Sequence, residues 1–186
     1  RKLLVTKSTP HFIEVNERAP WMEKMVLYEV ESDFFDGQFK FERMSQTFQH
    51  MKNLGINAFR ITPFVMGGFI SWDHFKIFPP NGTIDDLRAM TDLAHEYGLK
   101  VLFDIPLSHT SAFHPFILSN FLLKELAEPY YNFSMWQGKP GESDIVYSPD
   151  NGRQCVYTNL DNSYTQEYFT RLMEYWVEVA GADGFR

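Results

Sequence analysis

Residues 99–110 read LKVLFDIPLSHT. Leu99 to Phe103 is apolar apart from Lys100, and Asp104, Pro106, Ser108 and His109 follow at once. A strand inside a parallel sheet is covered on both faces and so reads as a near-continuous apolar run. The segment therefore predicts a buried strand that emerges at Asp104. Pro106 has no N–H and suits the point where ladder pairing ends. Ser108 and His109 then project from the rim, on the side where loops carry function.

The flanking sequence fixes what the strand belongs to. On its amino side, Ile84, Leu87, Met90, Ala94 and Tyr97 recur at helical spacing. Thr83 with Asp86 forms a capping box in which Asp replaces the usual Glu, and Gly98 stops the helix. Before that helix lies a loop over 65–82 with Gly67, Gly68, Pro79 and Pro80. INAFRITPF (56–64) reads as a second strand, ended by Pro63. FERMSQTFQHMKNLG (41–55) places Phe41, Met44, Phe48, Met51 and Leu54 on one helical stripe, closed by Gly55. KMVLYEVES (24–32) holds a first strand at Leu27–Val30. On the carboxyl side comes a long irregular insertion, 108–162. Ser163 with Gln166 reads as a second capping box and opens the helix YTQEYFTRLMEYWVEVAG, whose Tyr164, Tyr168, Tyr175 and Trp176 read as core packing. ADGFR (182–186) begins a fourth strand.

Alternating strands and helices imply a parallel sheet with right-handed crossovers. Two closures fit: a doubly wound open sheet, or the first half of a (β/α)8 barrel. No glycine-rich phosphate loop follows the first strand, which weighs against a dinucleotide site. The long loops leave the carboxyl ends of strands two and three, the face that carries active sites in barrels.

Composition narrows the function classes. The 186 residues carry 17 Lys+Arg against 24 Asp+Glu, a net charge of −7. An acidic chain without a basic cluster is a poor partner for nucleic acid or an anionic membrane. No apolar run is long enough for a membrane span. The single Cys155 excludes an internal disulfide framework and leaves the compartment open. Arg1 in place of Met and the abrupt end at Arg186 imply a piece of a longer protein. NGT at 81–83 and NFS at 132–134 are glycosylation patterns that matter only in a secreted protein.

The chain resembles the alpha-amylase superfamily, glycoside hydrolase family 13, from about Val26 onward. YEVESDFFDG (28–37) is similar to that family's first strand, and HMKNLGINAFRITPF (50–64) to its second helix-to-strand segment. Residues 68–109, from GFISWDHF to DIPLSH, follow the family pattern without a gap. YTNLDNSYTQEYF (157–169) and GADGFR (181–186) match later motifs. The resemblance implies residues 1–25 as a lead-in and 26–186 as the amino-terminal half of a (β/α)8 catalytic domain. That half ends after strand four and carries the insertion 108–162 at the cleft.

The implied activity is retaining hydrolysis of α-glucans. The alternatives are glycosyl transfer, as in glucan-branching enzymes, and a binding homologue without activity. Position by position, Phe69 falls on a Tyr that stacks on the sugar, Asp73 on the Asp of the TDYY motif, and Trp72 on a small residue. These three are the candidate substrate-binding set. Asp104 falls on an Asp that supports the strand-four Arg, His109 on a His that bonds the sugar, and Arg186 on the Arg that keeps the nucleophile ionised. These three are the candidate catalytic set. A retaining enzyme also needs a nucleophile and an acid/base carboxyl. The resemblance puts the nucleophile two residues beyond Arg186 and the acid/base on a later strand, so the chain by itself is expected to be inactive. Glu29 and Asp33 read as ordinary rim or surface charges.

No cofactor is firmly implied. The resemblance implies a calcium ion liganded by the family's Asn; Ser108 stands in that place and weakens the site, and Asn159 and Asp161 depart from the pattern too. His95 sits in a helix at a position with no catalytic role. His109 and His114 lack a further metal-ligand set. The expected partners are an α-glucan or maltooligosaccharide and whatever covers the open sheet edges, the rest of the barrel or another chain.

Overall fold

The computed structural model describes residues 19–31, 40–111, 113–115, 146–147, 154–158 and 160–186. Asp33, Asn159, the NFS pattern, nearly all of the lead-in and most of the insertion lie outside them. Four parallel strands form the central sheet: β1 (Leu27–Val30), β2 (Ala58–Ile61), β5 (Lys100–Phe103) and β9 (Gly184–Phe185), in the spatial order β1-β2-β5-β9. Their order along the chain equals their order in space, the arrangement of a partial (β/α)8 barrel rather than of a doubly wound sheet, whose strand order reverses. Register runs Glu29 opposite Arg60 and Arg60 opposite Leu102.

The helices pack one face of this sheet. α3 (Ile84–Glu96) carries the expected capping box: the Asp86 amide donates to Thr83 Oγ1 at 3.1 Å, and the Thr83 amide donates to Asp86 Oδ2 at 2.8 Å. It buries Leu87, Met90, Thr91 and Ala94. Ile84, in its first turn, is exposed, and Tyr97 is half-buried against Phe48. Gly98 takes a left-handed φ of 75°, and the Leu99 amide reaches back to the Ala94 carbonyl at 2.9 Å. This glycine termination turns α3 directly into β5.

The first helix departs from the expected single stripe. It is two short helices, α1 (Phe41–Ser45) and α2 (Phe48–Asn53). Thr47 Oγ1 donates to the Met44 carbonyl at 2.7 Å where they meet, a local bond that competes with regular helix pairing. Phe41, Met44, Phe48 and Met51 are buried as the periodicity requires, but Leu54 is 57% exposed. Leu54 is the C-cap; the chain reverses at Gly55 and Ile56 enters the core instead.

α4 (Ser163–Ala180) also corrects an expectation. Its N-cap is Asn162, whose Oδ1 accepts from the Tyr164 amide at 2.9 Å, and Gln166 donates to the Leu160 carbonyl. No Ser163–Gln166 capping box forms, because Ser163 is already the first helical residue. Phe169, Leu172, Trp176 and Ala180 face the sheet, whereas Tyr164 is exposed. Trp176 meets Phe64 edge-on at 5.2 Å, and Phe64 meets Phe103 at 4.9 Å. These rings, with Phe41, form the centre of the core.

Both segments read as loops contain strands. Within 65–82, β3 (Val65–Met66) pairs antiparallel with β4 (Asp73–Ile77). Within 108–162, β6 (His109–Ser111), β7 (Val146–Tyr147) and β8 (Gln154–Tyr157) form a small antiparallel sheet in the order β6-β8-β7. Both lie on connections leaving the carboxyl ends of β2 and β5. The Asn81 of the NGT pattern is buried and donates to the Phe64 carbonyl at 3.2 Å, so it is closed to a glycan.

At the opposite, amino-terminal end of the sheet, Asp183 accepts from Lys100 Nζ at 2.7 Å, the Val101 amide at 2.9 Å and His95 Nε2 at 2.7 Å. Burial works to raise its carboxyl. Those three partners prevail and hold it below the usual carboxylate value. His95 is thus structural, and together with Lys100 and Val101 it ties α3 and β5 to the approach to β9. Asp183→Ala in the full-length protein should cost about 2–3 kcal/mol, read as a shift of the denaturation midpoint. The cost should shrink as the pH falls through the lowered carboxyl value, because the native carboxylate then protonates. An unchanged midpoint contradicts this account of the sheet's base.

Candidate active site

The carboxyl ends of the four strands each supply one charged residue. Glu29 comes from β1, Arg60 from β2, Asp104 from the end of β5 and Arg186 from the end of β9. Arg60 Nη2 donates to Glu29 Oε1, and Arg60 Nη1 to Asp104 Oδ2. Arg186 Nη1 reaches the same Oδ2 at 3.2 Å. The backbone sets this up: the Ile105 amide donates to the Arg186 carbonyl at 2.9 Å and the Arg186 amide to the Phe103 carbonyl at 3.0 Å, placing Arg186 beside Asp104. Arg60 and Asp104 are buried, whereas the Arg186 side chain is 61% exposed. Burial holds the Asp104 carboxyl above its ordinary value, outweighing the downward pull of the Arg60 guanidinium.

Glu29, read from sequence as an ordinary rim charge, is instead an ion-pair partner of a buried arginine. Nothing in the local sequence marks Arg60. It lies inside an apolar strand, and its partners come from positions 31 and 44 residues away.

His109 opens β6 at the rim. Its Nδ1 faces Ser108 Oγ at 2.9 Å, and its ring donates to the carbonyl of Phe69. Burial lowers its pKa, while the Phe69 carbonyl works to raise it. Phe69 sits in the turn between β3 and β4, where Gly67 and Gly68 adopt φ of 90° and 59°; its ring is 54% exposed. Trp72 lies across Gly67: a Cβ there would stand 2.3 Å from the Trp72 ring, so only glycine lets the indole fold over the turn. The Ser111 amide donates to the Ser71 carbonyl at 2.8 Å and joins this turn to β6. Phe69, Trp72 and His109 therefore belong to one rim, and Asp104 with Arg186 to the strand ends. Among the described residues no hydrogen bond or ion pair joins His109 to Arg186.

Asp73 is held locally. Its Oδ1 accepts from the Phe75 amide at 3.0 Å and its Oδ2 pairs with Lys76 at 3.1 Å. Next to it stands a buried polar group that no sequence pattern marks. His74 Nδ1 lies 3.0 Å from Tyr168 Oη, and His114 Nε2 lies 3.4 Å from the same oxygen. Desolvation, helped by His114 and opposed by Asp73, brings His74 down to about 3; burial brings His114 to about 4.

Among the described residues, the donors around Ser108 do not form a calcium set. The Ser108 hydroxyl is turned to His109, Asp161 is exposed, and the Asn162 side-chain oxygen caps α4. Among the described residues no group of three His, Cys, Asp or Glu is arranged to hold a metal. Likewise, no described helix is long and apolar enough to cross a membrane.

Two outcomes follow from this geometry. Arg60→Met strips a buried carboxylate of its closest cation and should destabilise the full-length protein by about 3–5 kcal/mol. Glu29→Gln removes a half-exposed partner and should cost less than about 1 kcal/mol; equal losses in thermal melts contradict the assignment. The histidines set a pH dependence. Unfolded histidine titrates near 6.5, and in the fold His74 and His114 titrate near about 3 and about 4. The unfolded chain takes up protons first, so their contribution is full above pH 6.5 and is lost as the pH falls toward 4 and 3. His114→Gln should make stability fall less steeply through that window; an unchanged slope counts against a buried neutral His114.

The fold has counterparts in known proteins. Residues 40–169 match the family model "Alpha amylase, catalytic domain". The chain is 26% identical to Alpha-amylase 3 of Dictyoglomus thermophilum, over 90% of this chain and 36% of that protein. It is also 26% identical to a trehalose synthase of Pimelobacter sp., over 92% and 35%. The crystal structure of a trehalulose synthase from Pseudomonas mesoacidophila MX-45 superposes with a TM-score of 0.72 at 22% identity, covering 91% of this chain and 35% of that one. The chain thus spans about a third of the length of the curated relatives it matches. With a family model matched over most of its length and a parallel sheet in the corresponding order, the chain belongs to the alpha-amylase catalytic-domain family.

Proposed function

We propose that the full-length protein carrying this chain is a retaining glycosidase of the alpha-amylase type. It would act on α-linked glucosides by hydrolysis or by glucosyl transfer through a covalent glycosyl-enzyme. The observation that carries the reading is the shared Asp104 carboxylate: it accepts from the buried Arg60 and from Arg186 at the sheet's carboxyl end. The reacting carboxylates come from parts of the protein beyond these 186 residues.

Each residue then has a physical role. A guanidinium next to a nucleophilic carboxylate favours its ionised form. Asp104 is a positioning residue, fixing the Arg186 fork by a charge-assisted bond. His109, a donor held at the rim by the Ser108 hydroxyl and the Phe69 carbonyl, can exchange one partner for a sugar hydroxyl. A hydrogen bond there strengthens as oxocarbenium-like charge develops on the ring. Phe69 offers an apolar face to a hexose without the hydroxyl of the family's Tyr, and Trp72 a second face on the same turn. Asp73 supports that turn through its bonds to Phe75 and Lys76. Transfer stands beside hydrolysis because the relatives include proteins named trehalose synthase as well as an alpha-amylase.

The test is turnover of starch, maltooligosaccharides, sucrose and trehalose by the full-length protein. The products should keep the α configuration at first release, followed by NMR. His109→Ala should lower kcat/KM by about 10²-fold. Phe69→Ala should raise KM by up to roughly tenfold with a smaller effect on kcat. No turnover of any α-glucoside overturns the proposal.

A further inference from the structure

We propose that a small cavity behind the mouth is a single-water site that joins His74 to Asp104 and makes His74 a positioning residue for the Asp104–Arg186 pair.

Two buried side chains carry the inference. His74 is 1% exposed and Asp104 5%. Each has one buried polar atom, His74 Nε2 and Asp104 Oδ1, without a hydrogen-bond partner among the described residues. An unpaired buried polar atom costs roughly 1–3 kcal/mol, so each of these two atoms calls for a partner. Both residues line the same cavity, whose remaining wall is largely apolar and includes Phe64, Phe103, Leu172 and Trp176. About 10 Å³ is open to the centre of a water molecule there, which is room for one.

Donors and acceptors balance around such a water. The Tyr168 hydroxyl lies 3.0 Å from His74 Nδ1 and can donate to it, which leaves the ring proton of neutral His74 on Nε2. Burial and His114 keep the ring neutral against the pull of Asp73, with His109 acting in the same sense as His114. Nε2–H then donates to the water, and the water donates to Asp104 Oδ1. A cation is disfavoured, because Arg60 and Arg186 already hold the other oxygen of that carboxylate. An anion is disfavoured by the carboxylate itself. A neutral molecule that both accepts and donates is what remains, and only water is small enough. With Arg60 and Arg186 on Oδ2 and the water on Oδ1, the carboxylate plane is fixed from both sides, and the Arg186 fork with it.

A crystal structure of the unliganded full-length protein, at a resolution where ordered water is visible, tests the site. A solvent peak about 2.7–3.2 Å from both His74 Nε2 and Asp104 Oδ1 is expected. A side chain from elsewhere in the protein filling the cavity, or no peak bonded to both atoms, overturns the site. In solution, ¹⁵N spectra of the His74 ring should show the Nε2–H tautomer through pH 5; the Nδ1–H tautomer overturns it as well. The kinetic arm rests on the proposed glycosidase activity, whereas the two structural arms do not, so failure of one reading is distinguishable from failure of the other. His74→Asn, which lacks a donor at the Nε2 position, should lower kcat about tenfold and move the acid limb of the pH profile upward, since Asp104 loses a donor to its ionised form. His74→Gln, which keeps that donor, should recover to within about threefold. Equal loss in both variants, or an unmoved acid limb, reduces His74 to a packing residue and overturns the positioning role.

Discussion

Asp104 places one buried carboxylate between two guanidiniums, and the geometry of the mouth depends on that arrangement. A carboxylate this deep carries a desolvation penalty that only close partners offset. Arg60 supplies one partner, anchored on its far side by Glu29, and Arg186 the other. Each member comes from a different strand, so the charge chain crosses the whole sheet at the end where the loops leave. The parallel register makes this possible by setting Glu29 opposite Arg60 and bringing Asp104 alongside Arg186.

The two ends of the sheet are built for different purposes. At the amino-terminal end, Asp183 takes three donors and is fully committed to joining α3, β5 and β9. At the carboxyl end, Phe69 and part of Trp72 remain exposed. The β3–β4 pair and the β6–β8–β7 sheet hold this rim from the side through the Ser111–Ser71 bond and the Thr158 contacts to Leu107 and Ser108. Stability and availability for binding are thereby separated along the strand direction, as in barrels that keep their chemistry on one face.

Much of this is legible in the sequence. Helical stripes, glycine stops and the Thr83–Asp86 box carry their meaning within a few residues, and the alternation of strand and helix limits the topology to two closures. Asp104 and His109 stand out because they lie where an apolar run ends, and Arg186 through the family resemblance of GADGFR. Arg60 does not, because an arginine inside AFRI takes its meaning from partners on other strands, and register is not written locally. His74 escapes for the same reason, since Tyr168 lies 94 residues away. The break between α1 and α2 carries a local Thr47 hydroxyl bond to the Met44 carbonyl that no periodicity announces. The short β3–β4 pair leaves a signal in Gly67–Gly68 beside Val65 and Met66, but strands this short lack the alternation that marks longer ones. Ser163 misleads by one position, because Asn162 beside it is an equally good cap.

The central claim is that the charge chain and the rim act on one sugar ring. A crystal structure of the full-length protein bound to maltotriose tests it most directly. The account predicts one glucosyl ring in van der Waals contact with the Phe69 face, with the His109 ring and the Arg186 guanidinium both directed at that same unit. Maltotriose bound away from the carboxyl ends of the strands, or Phe69, His109 and Arg186 meeting different sugar units, would contradict it.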